Sequence, residues 1–118
     1  MWRPVLVIAA ALALAGCQES DQDQVRAAVM EYVHAYADGD AKTVCGRLAP
    51  ELRKAFKEGC EAGIKREAAK LSKPAREALD KQEVRSVSVS GDSARARLNS
   101  GSLGTLRRVG GRWLIENR

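Results

Sequence analysis

With 118 residues the chain has room for one ordinary domain, and no linker-like stretch divides it into two. It contains 20 basic and 15 acidic residues, so its formal net charge is +5 at pH 7. The sequence has no nucleophile elbow, phosphate loop, two-metal carboxylate set or dinucleotide fingerprint, and this argues against the enzyme classes built on those motifs.

The first residues are arranged in the order of an export signal. Arg3 gives a charged start, an unbroken apolar run extends from Val5 to Ala15, and polar residues follow from Gln18. Eleven helical residues reach only about 16 Å, roughly half the hydrocarbon thickness of a bilayer. The run also lacks the 3.6-residue stripe of an amphipathic helix. We therefore predict that residues 1–16 are a signal peptide.

Leu14-Ala15-Gly16-Cys17 resembles the lipobox of bacterial lipoproteins. The resemblance implies cleavage before Cys17 and attachment of diacylglyceryl to its sulfur, with fatty acids of the palmitate type. Each buried methylene contributes about 0.8 kcal/mol to anchoring, and stable anchoring takes two chains. Residues 17–20 would then be a short lipidated tether. The predicted location is the cell envelope, on the extracytoplasmic side of a bacterial membrane.

Assignment of Cys17 to lipid leaves Cys45 and Cys60 as a pair in an oxidising compartment. A disulfide that closes a loop of about 15 residues contributes roughly 3 kcal/mol. The alternative is a metal site formed by His34, Cys45 and Cys60, but their spacing matches no zinc pattern and a fourth ligand is lacking. We predict a Cys45–Cys60 disulfide and neither a metal ion nor a cofactor.

Basic residues are concentrated in the last third of the chain. Residues 84–118 contain seven arginines, against only Asp92 and Glu116 as acidic residues. Such a basic segment would suggest nucleic acid in a cytoplasmic protein, but export removes that partner. A solvated face is the simpler interpretation, and a surface for anionic lipid or cell-wall polymer is the functional one. The candidate residues for such a surface are five arginines: Arg85, Arg95, Arg97, Arg107 and Arg108.

Helical patterns cover residues 21–80. Ser20 lies in an N-cap position with Asp23 in the capping-box position, so the first helix is expected to begin there. Its apolar stripe recurs at steps of three and four and ends at Gly39. A short second helix follows, and Pro50 is well placed at the first position of a third. The later helical segments alternate lysine with glutamate, which is typical of a solvated face.

After Glu83 the apolar period changes to two. Gly91-Asp92 forms a turn signal, residues 99–104 have the composition of a loop, and Gly110-Gly111 is a strong hairpin signal because glycine tolerates positive φ. These features predict an antiparallel meander of about four strands within residues 84–117. Helices followed by strands indicate a single α+β domain over residues 21–118, with the helices packed on one face of the sheet.

Three local motifs carry a resemblance to small exported members of the nuclear transport factor 2-like superfamily, a cystatin-like α+β cone. They are Tyr36-Ala37-Asp38-Gly39-Asp40 after the first helix, Gly91-Asp92-Ser93-Ala94 in the first hairpin and Gly110-Gly111-Arg112-Trp113 in the last. The resemblance implies a curved sheet around the first helix, with an apolar pocket that in various relatives holds ligands, catalyses reactions or mediates dimers. The candidate pocket residues are Tyr32, Tyr36 and Trp113.

Enzymes of that superfamily place a carboxylate or a histidine inside the cone. In this chain Asp92 falls at a turn and Glu116 near the end of the last strand, so no catalytic residue is predicted. The expected function is a non-enzymatic envelope lipoprotein that binds a partner protein or a small apolar ligand. One alternative is an isomerase or cyclase-like enzyme in which Tyr32 or Tyr36 polarises a carbonyl. Another is the arginine-rich binder of anions, and no oligomeric state is predicted.

Overall fold

A computed structural model describes residues 20–118, so the predicted signal peptide and Cys17 lie outside the described residues. Five helices come first: α1 (Asp21–Asp38), α2 (Ala41–Arg47), α3 (Pro50–Lys54), α4 (Cys60–Ala69) and α5 (Lys73–Asp80). Four strands follow: β1 (Val84–Ser90), β2 (Ser93–Leu98), β3 (Leu103–Val109) and β4 (Arg112–Ile115). This arrangement confirms the predicted α+β fold. Within residues 20–118, no helix is both long and apolar enough to cross a membrane.

The ends of α1 follow from local sequence. The Ser20 hydroxyl accepts a hydrogen bond of 3.2 Å from the Asp23 backbone N–H, which satisfies one of the unpaired donors of the first turn. Gly39 adopts φ +72° and its N–H donates to the last turn, a conformation that favours glycine at a helix end. Both predicted boundaries of the first helix are confirmed.

The four strands form one antiparallel meander in the order β1-β2-β3-β4. The pairs Val87–Ala96 and Ala94–Leu106 lie on the face that packs against the helices, which we call the inner face. The pairs Ser88–Arg95 and Arg95–Thr105 lie on the opposite side, the outer face.

One strand boundary differs from the prediction. The composition of residues 99–104 predicts a loop, yet β3 begins at Leu103. Leu103 pairs with Arg97 and Gly104 pairs with Ala96 in the ladder. Pairing with a neighbouring strand therefore outweighs the low strand propensity of glycine at this point.

The core lies between the inner face and the helices. The largest fully buried side chains come from both layers: Trp113, Leu48, Ile64, Leu106, Val25 and Val44. The predicted disulfide between Cys45 and Cys60 is confirmed, and it joins α2 to the first residue of α4 across 15 residues.

The link between α2 and α3 covers the edge of β4, which the sequence did not predict. Leu48 forms a parallel bridge with Ile115, and the Ala49 N–H donates to the Ile115 carbonyl at 2.8 Å. The exposed backbone groups of an edge strand are thus partly satisfied within the chain.

Candidate functional site

An apolar cleft of about 210 Å³ lies between α1 and the inner face of the sheet. Helical spacing brings three α1 residues to one side of the cleft, and alternation along the strands brings small and apolar residues to the other. These wall residues are Val29, Tyr32, Val33, Ala96, Leu98, Gly104, Leu106 and Ile115.

Polar groups of the cleft gather at its mouth, together with Leu103, whose exposure is 43%. The Asn117 Oδ1 accepts hydrogen bonds from the Thr105 N–H at 2.7 Å and from the Thr105 hydroxyl at 2.9 Å. Asn117 is thereby fixed beside Ser102, so the mouth combines ordered hydrogen-bonding groups with an exposed apolar side chain.

Arg118 is the cation at this mouth. Its guanidinium donates to both carboxylate oxygens of Glu67, at 2.9 and 2.7 Å, and lies 5.1 Å from the centre of the Phe56 ring. Tyr32 and Tyr36 are its other polar neighbours. The guanidinium is therefore held in place by a carboxylate, an aromatic face and two phenols.

The candidate tyrosines occupy different positions around the cleft. Tyr32 forms part of its wall, and the ring of Tyr36 lies 6.2 Å from the ring of Tyr32, one turn further along α1. Burial raises the pKa of the Tyr36 hydroxyl, and the nearby Glu67 carboxylate acts in the same direction. His34 is exposed.

Trp113 lies in the core instead of the cleft wall, with an exposure of 1%. The register between β3 and β4 places it opposite Arg108, near the turn at the far end of the hairpin from the cleft. The Arg108 guanidinium lies 4.7 Å from the centre of its ring. Trp113 therefore packs the inner face and holds an arginine, away from the cleft.

The five candidate arginines separate into two groups. Arg107 donates to both carboxylate oxygens of Glu51, at 3.0 and 3.1 Å, and lies 3.4 Å from Glu116. Arg108 forms ion pairs of 3.2 Å with both Asp21 and Asp92. Acidic partners within the chain therefore neutralise these two arginines, which weakens the prediction that they bind an external anion.

Arg85, Arg95 and Arg97 form the second group. All three are exposed, and none forms an ion pair or side-chain hydrogen bond with any residue between 20 and 118. Arg95 and Arg97 share the outer face of β2, whereas Arg85 occupies the irregularity in β1 between Val84 and Ser86.

Some residues important for the fold were not identified from the sequence. Arg76 of α5 donates to the Ala37 carbonyl at the end of α1 and to the Ala68 carbonyl at the end of α4, each at 2.9 Å. A cation near helical C-termini is favourable, but these helices are not the one that contains Arg76. No local sequence signal indicates such a contact, and the same is true of Arg118 at the cleft.

Within the described part of the chain, no group of three or more histidine, cysteine, aspartate or glutamate residues could hold a metal ion. Comparison of the chain with models of known families, with curated proteins and with solved structures finds no match. The resemblance to the nuclear transport factor 2-like superfamily stays a prediction.

Proposed function

We propose that this chain is a lipoprotein precursor whose α+β domain is anchored on the extracytoplasmic side of a bacterial membrane and binds a small apolar ligand. The motif that ends at Cys17 supports the anchor, although it lies outside the described residues. The Cys45–Cys60 disulfide supports an oxidising compartment, because such bonds are rare in reducing ones.

The apolar cleft is the observation that carries the binding proposal. Its polar groups are confined to the mouth, so a ligand would bury its hydrocarbon part and leave its polar end near Asn117 and Arg118. A volume of about 210 Å³ is below the roughly 300–1,000 Å³ of pockets for drug-sized molecules. The ligand class that fits is a short hydrocarbon chain or a single ring.

The contacts of Arg108 support one orientation of the domain at the membrane. Arg108 pairs with Asp21 at the start of α1 and with the Gly91 carbonyl and Asp92 in the turn between β1 and β2. The chain from Cys17 to Asp21 reaches at most about 14 Å. In a protein lipidated at Cys17, the turn end of the sheet would therefore face the bilayer.

The cleft mouth lies at the other end of the sheet. Leu103 at the mouth begins β3 and Val109 near the turns ends it, and six strand steps span about 20 Å. A ligand would thus enter from the envelope side and not directly from the bilayer.

The anchor is tested by the intact mass of the membrane-extracted protein, with and without reductant and alkylation. We expect a mass for residues 17–118 plus acyl chains, and two alkylatable thiols that appear only after reduction. An unlipidated full-length mass with three free thiols would contradict the proposal.

The cleft is tested with Gly104→Val. A Cβ at Gly104 would point into the cleft, and its nearest neighbour is the Ala96 carbonyl oxygen at 3.9 Å, an ordinary contact, so the chain should still fold. In native membranes, a short photoreactive alkyl alcohol should label the wall peptide of the wild type and not that of Gly104→Val. Ser88→Val places the same side chain on the outer face and should leave the labelling unchanged; equal labelling of all three proteins would contradict the proposal.

A partner protein is the second candidate occupant of the same cleft. The exposed Leu103 at the mouth favours it, because a partner could cover that side chain while inserting one of its own. Leu103→Ser would then release a co-purifying protein from mild membrane extracts, whereas loss of alcohol labelling without loss of any protein would favour the small ligand.

A further inference from the structure

We propose that the outer face of the sheet binds a linear polymer of phosphate groups through Arg95 and Arg97. This site differs from the apolar cleft, since Arg95 and Arg97 lie on the face of the sheet opposite to the cleft, while Leu103 borders both sites.

The first observation is the absence of acidic partners for these two arginines. Neither side chain contacts a carboxylate of residues 20–118, and both are exposed. Arg107, which belongs to the same face of the next strand, is held by Glu51 and Glu116. An external anion at Arg95 and Arg97 would therefore displace only water, whereas one at Arg107 would have to replace two carboxylates.

The second observation is that serines of β1 lie beside the two arginines in the sheet. Ser86 pairs with Arg97 across the ladder and Ser88 pairs with Arg95. Thr105 pairs with Arg95 from the other side, but its hydroxyl already donates to Asn117. Phosphate oxygens accept hydrogen bonds from guanidinium and hydroxyl donors alike. A surface that presents both kinds of donor suits phosphate better than an apolar surface or one with cations alone.

The third observation is the shape of the surface. Two depressions of about 440 and 200 Å³ adjoin one another, and Ser88 and Arg95 belong to the walls of both. Together they form a shallow trough across β1, β2 and β3, with Ser90 and Ser93 near one end and Leu103 near the other. Glu116 also lines the larger depression, and its carboxylate pairs with Arg107 at 3.4 Å. A trough of this kind accommodates an extended polymer chain.

The spacing of the two arginines favours a repeating ligand. Residues two apart on one face of a strand are separated by about 7 Å. This distance is of the same order as the separation of successive phosphates in an extended glycerol-phosphate chain. A chain laid along β2 could thus place one phosphate at each guanidinium.

A polymer is favoured over the bilayer by the position of the predicted anchor. In the orientation that the proposed anchor implies, the end of the domain where α1 begins faces the bilayer, and Asp21 and Asp92 lie there, paired with Arg108. The free arginines lie along the strand, and not at that end. The trough therefore belongs to a side surface that is open to the surrounding envelope.

The test is a titration of the full chain, reconstituted in phosphatidylcholine nanodiscs, with a fluorescently labelled oligomer of glycerol phosphate. Arg95→Gln/Arg97→Gln should weaken binding by at least about tenfold, because two charge-assisted contacts are lost. Wild-type affinity should also fall about five- to tenfold when the salt concentration rises from about 50 to about 200 mM.

The matched control is Lys65→Gln/Lys70→Gln, which removes the same charge from exposed positions of the helical layer. It should bind the oligomer as the wild type does. An equal loss in the two double variants would overturn the proposal, because net charge alone would then explain binding. Displacement of the oligomer by phosphatidylglycerol in the nanodiscs, at equal phosphate concentration, would also overturn it and identify a lipid-facing surface instead.

Discussion

Arg108 and Arg95 lie on opposite faces of the same sheet, and their surroundings differ completely. Arg108 is on the inner face, where it lies over Trp113 and bonds to acidic groups from α1 and from the first hairpin turn. Arg95 is on the outer face, with hydroxyl neighbours and no carboxylate partner among the described residues. A basic segment therefore becomes a basic surface only where the fold places no carboxylates beside its arginines.

We expect the largest loss of stability from a substitution in the core beneath the inner face. Trp113→Ala removes a side chain that is 1% exposed, and such a truncation in a core costs about 3–5 kcal/mol of unfolding free energy. Urea unfolding followed by circular dichroism measures the change. Val109→Ala, at an exposed position of the same hairpin, should change stability by less than about 0.5 kcal/mol. Similar losses for the two variants would contradict the assignment of Trp113 to the core.

The second effect concerns the helical layer that covers the inner face. Cys45→Ala/Cys60→Ala opens a loop with a sequence separation of 15, and its loss should cost about 3 kcal/mol. Reductant should lower the urea midpoint of the wild type and leave that of the double variant unchanged. A wild-type midpoint that does not respond to reductant would contradict a stabilising disulfide.

The third prediction concerns the difference in stability between substitutions of Arg108 and of Arg95. Arg108→Gln loses a cation–π contact and partly exposed ion pairs, together worth about 1–2 kcal/mol. Arg95→Gln should change stability by less than about 0.5 kcal/mol, because its side chain has no partner to lose among residues 20–118. Urea unfolding of both variants measures the difference, and equal effects would remove the distinction between the faces.

Local signals explain which parts of the fold could be predicted. The boundaries of α1 depend on Ser20 and Gly39, and both act on their own turn of the helix. The pairing of Cys45 with Cys60 follows from the count of cysteines once Cys17 is assigned to lipid. The alternation of apolar and polar residues predicted the strands for the same reason, since this pattern depends only on the residues of each strand itself.

The roles of the arginines and the composition of the cleft depend on contacts between distant residues. Alternation requires Arg107 and Arg108 to point to opposite faces, but it does not say which of them points inward. The register with Trp113 decides this, because it places Arg108 beside the indole. The position of the Arg118 guanidinium at the cleft likewise depends on distant residues, Glu67 and Phe56.

We expect the smallest effect on stability from Tyr36, which lies next to the cleft mouth. Burial, reinforced by Glu67, raises the pKa of its hydroxyl above the ordinary value of 10.0. Above about pH 10 the folded state therefore retains this proton more strongly than the unfolded state does. The resulting contribution to stability is fully present below that pH and is lost as the pH rises through the raised pKa.

Tyr36→Phe should remove this contribution, so the fall in unfolding free energy between about pH 9 and pH 11 should be less steep in the variant than in the wild type. Urea midpoints at the two pH values measure the difference. Parallel pH dependences would mean that the Tyr36 hydroxyl is as well solvated in the folded protein as in the unfolded chain, and the mouth of the cleft would then be more open to water than its contacts indicate.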